Sequence, residues 1–162
     1  MGPRLDNAYF SLVHRRDMDG DRIAQVLRDA RTHADSGDML ISSKLYTDAT
    51  ELDPDSDAAW YGLGVVQTTR GMPEEAIIAF ENSYRINPNH GPTIANLAVL
   101  LENLNPKRAA KLATEAIVIL GEIPQLIEIA GSFEARISSF STEPGETDDE
   151  AVSYTHLRAH ET

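Results

Sequence analysis

Cysteine is absent from the 162 residues. That excludes a disulfide framework, a thiol nucleophile and zinc held by thiolates. Basic residues are also scarce. Lys and Arg total 14 against 26 Asp and Glu, a formal charge of -12. Such an anion repels phosphate backbones and acidic lipid surfaces, so neither nucleic acid nor membrane is expected as a partner. No apolar run approaches the roughly 18 residues of a membrane span. The opening MGPRLDNAYFSLVHRR lacks the apolar core of a secretory signal. A cytoplasmic location is the expectation. No glycine-rich phosphate loop is present, and His14, His33 and His90 are scattered without a Ser-His-Asp or paired-carboxylate spacing. No catalytic residue, cofactor or metal site is therefore expected, and the chain is read as a non-enzyme. Apolar residues make up 41% and charged residues 25%, which suits one globular domain.

What is present is a period of 34 residues. At that offset Gly37 meets Gly71, Ser42 meets Ala76, Tyr46 meets Phe80, Leu52 meets Ile86 and Pro54 meets Pro88. A further step takes Trp60 to Ile94, Leu63 to Leu97, Gly64 to Ala98 and Ala76 to Ala110. Small residues recur where small ones stood, and large apolar residues where large ones stood. Two closely packed antiparallel helices demand that pattern: small side chains where backbones approach, large ones around them. Gly37 and Gly71 fall where a first helix should end, in a cap conformation that only Gly adopts without penalty. Pro54 and Pro88 follow apolar helix ends and stop them. Pro73 and Pro106 stand at helix starts, where a missing N–H costs nothing.

These residues resemble the tetratricopeptide repeat (TPR) family. The unit Asp57 to His90, with Trp60-Tyr61-Gly62-Leu63-Gly64, Gly71, Ala76, Phe80 and Pro88, carries the resemblance best. A first unit over about 23–56 departs from it in its first helix, where Asp29 replaces the usual Leu. A third, over about 91–124, has Asn105-Pro106 at its turn and no closing proline. A stretch from Ile123 to Phe140 fits the first helix of a fourth. The resemblance implies an all-α solenoid of antiparallel helix pairs over residues 23–140. Helices are expected near 6–16, 21–36, 39–53, 57–70, 73–86, 92–104, 106–120 and 123–139. Residues 1–22 form a helical extension or cap. Trp60→Ala is expected to cost on the order of 3–5 kcal/mol.

Residues 141–151 include five acids and no base and read as an acidic disordered linker. The final stretch, Val152 to Thr162, reverse-translates into a string resembling the adapter of transposon-based sequencing libraries. It is read as an artefact, and the pair His156 and His160 is not read as a metal site. The natural chain is then expected to continue beyond Ala151.

Asp17-Met18-Asp19-Gly20-Asp21 invites comparison with a calcium loop, but Arg22 stands where that loop needs Gly and Arg28 where it needs Glu. A polar turn capping the next helix is the simpler reading. Lys107, Arg108 and Lys111 are the only compact basic group outside the N-terminal stretch, and read as a solvated helix face. In the resembled family, first helices line a concave groove for an extended peptide or a partner helix. The matching positions are Leu27, Arg28, Arg31 and Asp35; Tyr61, Val65, Thr68 and Thr69; and Ala95, Asn96, Val99 and Asn103. Tyr61 is either a partner anchor or a packing residue between repeats. A carboxylate clamp for a chaperone tail would need a Lys-Asn pair at Leu27 and Arg31, an Asn at Gly62 and a Lys-Arg pair at Pro92 and Asn96, and none matches. The expected function is a protein–protein interaction scaffold for a protein or peptide. The alternative is the recruiting arm of a larger enzyme whose catalytic part lies beyond residue 151. Self-association through the ends of the solenoid is a third route.

Overall fold

The computed structural model describes residues 5–141. Seven helices occupy them: α1 (Leu5–Asp35), α2 (Met39–Leu52), α3 (Asp57–Thr69), α4 (Pro73–Ile86), α5 (Gly91–Leu101), α6 (Pro106–Leu120) and α7 (Pro124–Ser141). No strand occurs among the described residues, and no described helix is long and apolar enough to cross a membrane. Each helix packs on the next, and α1 also touches α3 as α5 touches α7. Sequential hairpins stacked with first helices side by side make an α-solenoid.

The hairpins close as the glycines require. Gly37 has φ 87° and Gly71 has φ 72°, the left-handed region where a Cβ is penalised. At the second turn Gly71 N–H donates to the Thr68 carbonyl and Met72 N–H reaches back to Gln67, at 3.0 and 2.9 Å. The first turn repeats this with Gly37 to Ala34 and Asp38 to His33. Both are helix stops that satisfy otherwise orphaned carbonyls. The third turn solves the problem differently. Helix α5 ends at Leu101, three residues earlier than expected. The Asn105 side chain then caps α6 by accepting the Arg108 N–H at 3.1 Å.

Small residues sit where the repeat places them. A Cβ on Gly64 would stand 2.7 Å from the Phe80 ring, and one on Gly62 would overlap the Tyr46 ring. Ala76 and Ala98 are wholly buried. One hydrophobic cluster joins α4 to α7 around Phe80, Ile94, Leu97 and Leu112. A smaller one joins α1 to α4 around Ala30, Tyr46, Leu63 and Val66.

Two expectations are corrected. The helices expected at 6–16 and 21–36 are one continuous helix, so the polar turn at Asp17–Asp21 is absent. Gly20 in a helix costs about 1 kcal/mol relative to Ala, which weakens a helix without stopping it. No proline interrupts α1 to force the issue. Trp60 is only partly buried at the edge of the smaller cluster, with its indole N–H donating to the Pro54 carbonyl at 2.9 Å. A partly buried ring cannot return the full cost expected for Trp60→Ala. The acidic segment from 142 and the adapter-like tail lie outside the described residues.

Candidate functional site

Two first helices and the helix between them frame a hollow of about 480 Å³. Leu27, Arg31 and Asp35 enter it from successive turns of α1, and Tyr61 and Val65 from one face of α3. Those spacings of four follow from 3.6 residues per turn, which sets such side chains one above another. Tyr46 of α2 closes the back, able to lie there because Gly62 has no side chain. Asp57, Ala58 and His90 complete the rim.

Tyr61 both packs and faces the hollow. Its ring lies 5.9 Å from that of Phe80 and meets the His90 ring edge-on at 4.7 Å. His90 is fixed in turn: its Nδ1 shares a 2.7 Å hydrogen bond with the Thr93 hydroxyl, which lies 2.9 Å from the Ser83 hydroxyl. Ser83 and Thr93 are fully buried, so the hydroxyl pair satisfies itself in a dry setting. Asp57 is held by the Asn87 side-chain amide, which donates to its Oδ2 at 2.7 Å. Burial pushes the Tyr46 phenol above its ordinary pKa, an effect that the positive Arg31 guanidinium opposes. The site thus offers an apolar floor with one cation and two carboxylates at its edge.

The other expected residues are distributed more loosely. Arg28 turns along its own helix, donating to Gln25 Oε1 at 2.7 Å, and does not line the hollow. The Thr68 and Thr69 hydroxyls donate back to the Gly64 and Val65 carbonyls at 2.9 and 3.0 Å. Asn96 is half-buried and caps onto the Pro92 carbonyl at 2.8 Å. Ala95 packs against the larger cluster. Val99 remains exposed on α5. Asn103 sits in the turn after α5 and not on the helix expected to carry it. The structure therefore gathers Leu27, Arg31, Asp35, Tyr61 and Val65 around one concavity and leaves the third-repeat residues outside it. It also adds Tyr46, Asp57 and His90, which the repeat alone did not single out for a site. The signal was present for Tyr46: its period mate is Phe80, and the extra hydroxyl marks a ring that needs a polar outlet.

Among the described residues no group of three or more His, Asp or Glu side chains is placed to hold a metal ion. A second cleft, of about 510 Å³, lies between α6 and α7 with Lys107, Arg108 and Lys111 on its wall.

No family model matches the chain, and no curated protein matches it. Solved structures do. The first TPR of Spaghetti (RPAP3), bound to an HSP90 peptide, superposes with a TM-score of 0.64 at 10% identity, covering 70% of this chain and 94% of that one. The Yersinia enterocolitica type III secretion chaperone SycD, in complex with a peptide of the translocator YopD, gives 0.58 at 16% identity over 75% of this chain and 93% of that one. An O-GlcNAc transferase mutant from Thermobaculum terrenum gives 0.60 at 20% identity, covering 67% of this chain but only 21% of that one. At such identities the likeness concerns architecture. By its stacked hairpins, its glycine stops and these superpositions, the chain has the fold of tetratricopeptide repeat domains.

Proposed function

We propose that the chain is a protein-interaction scaffold that receives a peptide or helix of a partner protein in the hollow between α1 and α3, by shape and without chemistry. The observation that carries this reading is the hollow itself: an apolar floor of Leu27, Tyr61 and Val65 edged by Arg31, Asp35 and Asp57. Sites that take side chains of a partner combine an apolar pocket with a few polar groups that fix orientation. Two superposed domains carry peptides in their own structures, one from HSP90 and one from YopD, which supports a peptide as the ligand class here. The exposed Val99, with Asn96 and Asn103 beyond it, extends the proposed surface along α5, and Arg28 lies beside it on α1. The carboxylate-clamp mode is not part of the proposal. Gly62 stands at one clamp position, and a side chain there would collide with Tyr46.

Peptide-display selection against the purified chain tests the reading. Tyr61→Ala combined with Val65→Ala should weaken capture, but Tyr61 also packs on Phe80 and His90, so that variant tests stability as well. Val65→Glu and Arg31→Glu, at exposed positions, are the cleaner probes. Selected peptides should lose at least tenfold in affinity for Val65→Glu, about 1.4 kcal/mol. Peptides that bind both variants as well as the parent would place recognition elsewhere.

A second reading has one observation in its favour. The transferase matched by this chain is nearly five times longer than the matched part, at 21% coverage, so this fold occurs as one part of a longer enzyme. On that reading the solenoid is a recruiting arm. Sequencing the source DNA across codon 151 separates the two: a catalytic domain encoded downstream favours the arm.

A further inference from the structure

The cleft between α6 and α7 is distinct from the hollow of α1 and α3. Its floor is Ala110, Ala130 and Phe133, and its wall carries Lys107 and Lys111. Arg108, on the same wall, is already engaged by Glu81, with Nη2 donating to Oε2 at 2.8 Å. Lys107 is exposed and has no ion pair among the described residues. The Lys111 side chain is 78% exposed and its ammonium lies 4.0 Å from the nearest Glu115 oxygen, a weak pairing. The dipole of α6, whose N-terminus lies at this cleft, adds to the local positive potential. Glu134 is the one carboxylate that lines the cleft against it. In a chain of charge -12 this is an isolated basic surface with an aromatic floor.

We propose that the acidic segment 142–151 of the same chain occupies this cleft. Its five acids, Glu143, Glu146, Asp148, Asp149 and Glu150, are unaccompanied by any base. Connectivity brings the segment to the right place. Helix α7 runs antiparallel to α6, so the chain leaves Ser141 beside the end of α6 that bears the lysines. From Glu134 to Ser141 the helix advances roughly 10 Å. Ten residues span up to about 33 Å when extended, ample to return that distance. Pro144-Gly145 supplies a turn signal between Glu143 and the later acids. A tether also settles which acidic ligand is favoured. A free acidic peptide must approach a molecule of like sign, whereas a segment joined by a short linker is present at about millimolar effective concentration. The inference stands apart from the groove of α1 and α3, and either can fail alone.

The test uses the full chain. Because it has no cysteine, Ala151→Cys gives a single site for a nitroxide label, read through amide NMR signals. At low salt, amides at Lys107 to Lys111 and at Phe133 and Glu134 should lose most of their intensity. In about 1 M NaCl, where the screening length is about 3 Å, they should recover it. Lys107→Gln with Lys111→Gln, at two exposed positions, should abolish the loss at low salt too. A tail that merely diffuses nearby would broaden the same amides whatever the lysines are. Loss that survives the glutamine variant, or that is absent or spread over the whole surface, overturns the proposal. Loss seen only when nitroxide-bearing chains without 15N are mixed with 15N-labelled chains without nitroxide, or saturable filling of the cleft by a separate 142–151 peptide without loss in the tethered chain, also overturns it.

Discussion

Around Phe80, the helices α4 to α7 meet through alanines and aliphatic side chains. Ala98, Ala109, Ala113 and Ala116 are wholly buried, and so are Ile94 and Leu97. Around Tyr46, the helices α1 to α4 meet through glycines and rings, with Ser42 and Ser43 buried among them. Trp60, Leu27, Leu45 and Met39 are only partly covered there. The same 34-residue plan has produced a larger, mostly aliphatic half and a thinner half with more buried hydroxyls. Aliphatic side chains interdigitate and exclude space. The hollow with Tyr61 and Val65 lies against the Tyr46 ring where it passes Gly62. Packing strength and the proposed binding surface are therefore carried by different halves of one solenoid.

The largest expected effect probes that division directly. Phe80 is fully buried in the larger cluster, with its ring against Gly64 of α3. Phe80→Ala should cost about 3–5 kcal/mol in denaturant unfolding. Trp60→Ala, at a partly buried ring, should cost about half of that. A Trp60 variant as damaged as the Phe80 variant would reverse the ranking of the two halves.

The glycines come next. Gly64→Ala places a methyl 2.7 Å from the Phe80 ring, and overpacking of that kind costs about 1–3 kcal/mol. Gly37→Ala meets open space, so its cost comes from φ 87° alone, about 1 kcal/mol. Equal losses in thermal melts would mean that the hairpin interior yields more easily than its tight contacts imply.

These two glycines also show how far the sequence could be read. Gly37 and Gly71 announced themselves by recurrence and by the conformation that only glycine adopts freely. The hairpin bounds at 39, 57, 73 and 106 followed from caps and prolines, which act locally. Ala30 was missed. It stands 34 residues before Gly64 and 68 before Ala98 and is fully buried, but Asp29 beside it drew attention to a broken pattern. The uninterrupted α1 was missed because a run of acids around a glycine scores as a turn, while a helix tolerates it at modest cost. For the site, period and helical spacing found the residues of α1 and α3 that share a face. They did not find His90 or Asp57, whose positions depend on how a later turn folds over an earlier helix. Nor did they show that Arg28 and the two threonines would satisfy themselves on their own helices.

Alkaline pH sharpens the comparison further. Burial raises the pKa of Tyr46 in the thinner half, and burial with the neighbouring Glu115 carboxylate raises that of Tyr84 in the aliphatic half. In each case the folded state holds the phenolic proton more tightly than an unfolded chain whose tyrosines ionise near 10.0. The sign follows from linkage: this contribution is intact below pH 10 and is lost as pH rises through the higher folded-state value. Stability should therefore fall above pH 10. Tyr46→Phe should flatten that fall more than Tyr84→Phe, because the Tyr46 side chain is the more deeply buried. The reverse order, in denaturant midpoints measured across that range, would show that the Glu115 carboxylate beside Tyr84 outweighs the deeper burial of Tyr46.

The smallest effect concerns charge across α4 and α6. Arg108 grips Glu81 through both oxygens, at 2.5 and 2.8 Å, but the two side chains are 41% and 32% exposed. Water and salt reach such a pair, so Arg108→Ala should cost less than about 1 kcal/mol, and the difference from the parent should shrink as salt is raised. The fork geometry works in the other direction, since a bidentate pair fixes its partner better than a point charge does. Exposure decides between them. The wholly buried Ala109, next in the chain, packs against the larger cluster and holds α6 in place whether or not the pair forms. A loss as large as that for Gly64→Ala, or one indifferent to salt, would show that charge and not aliphatic packing positions α6.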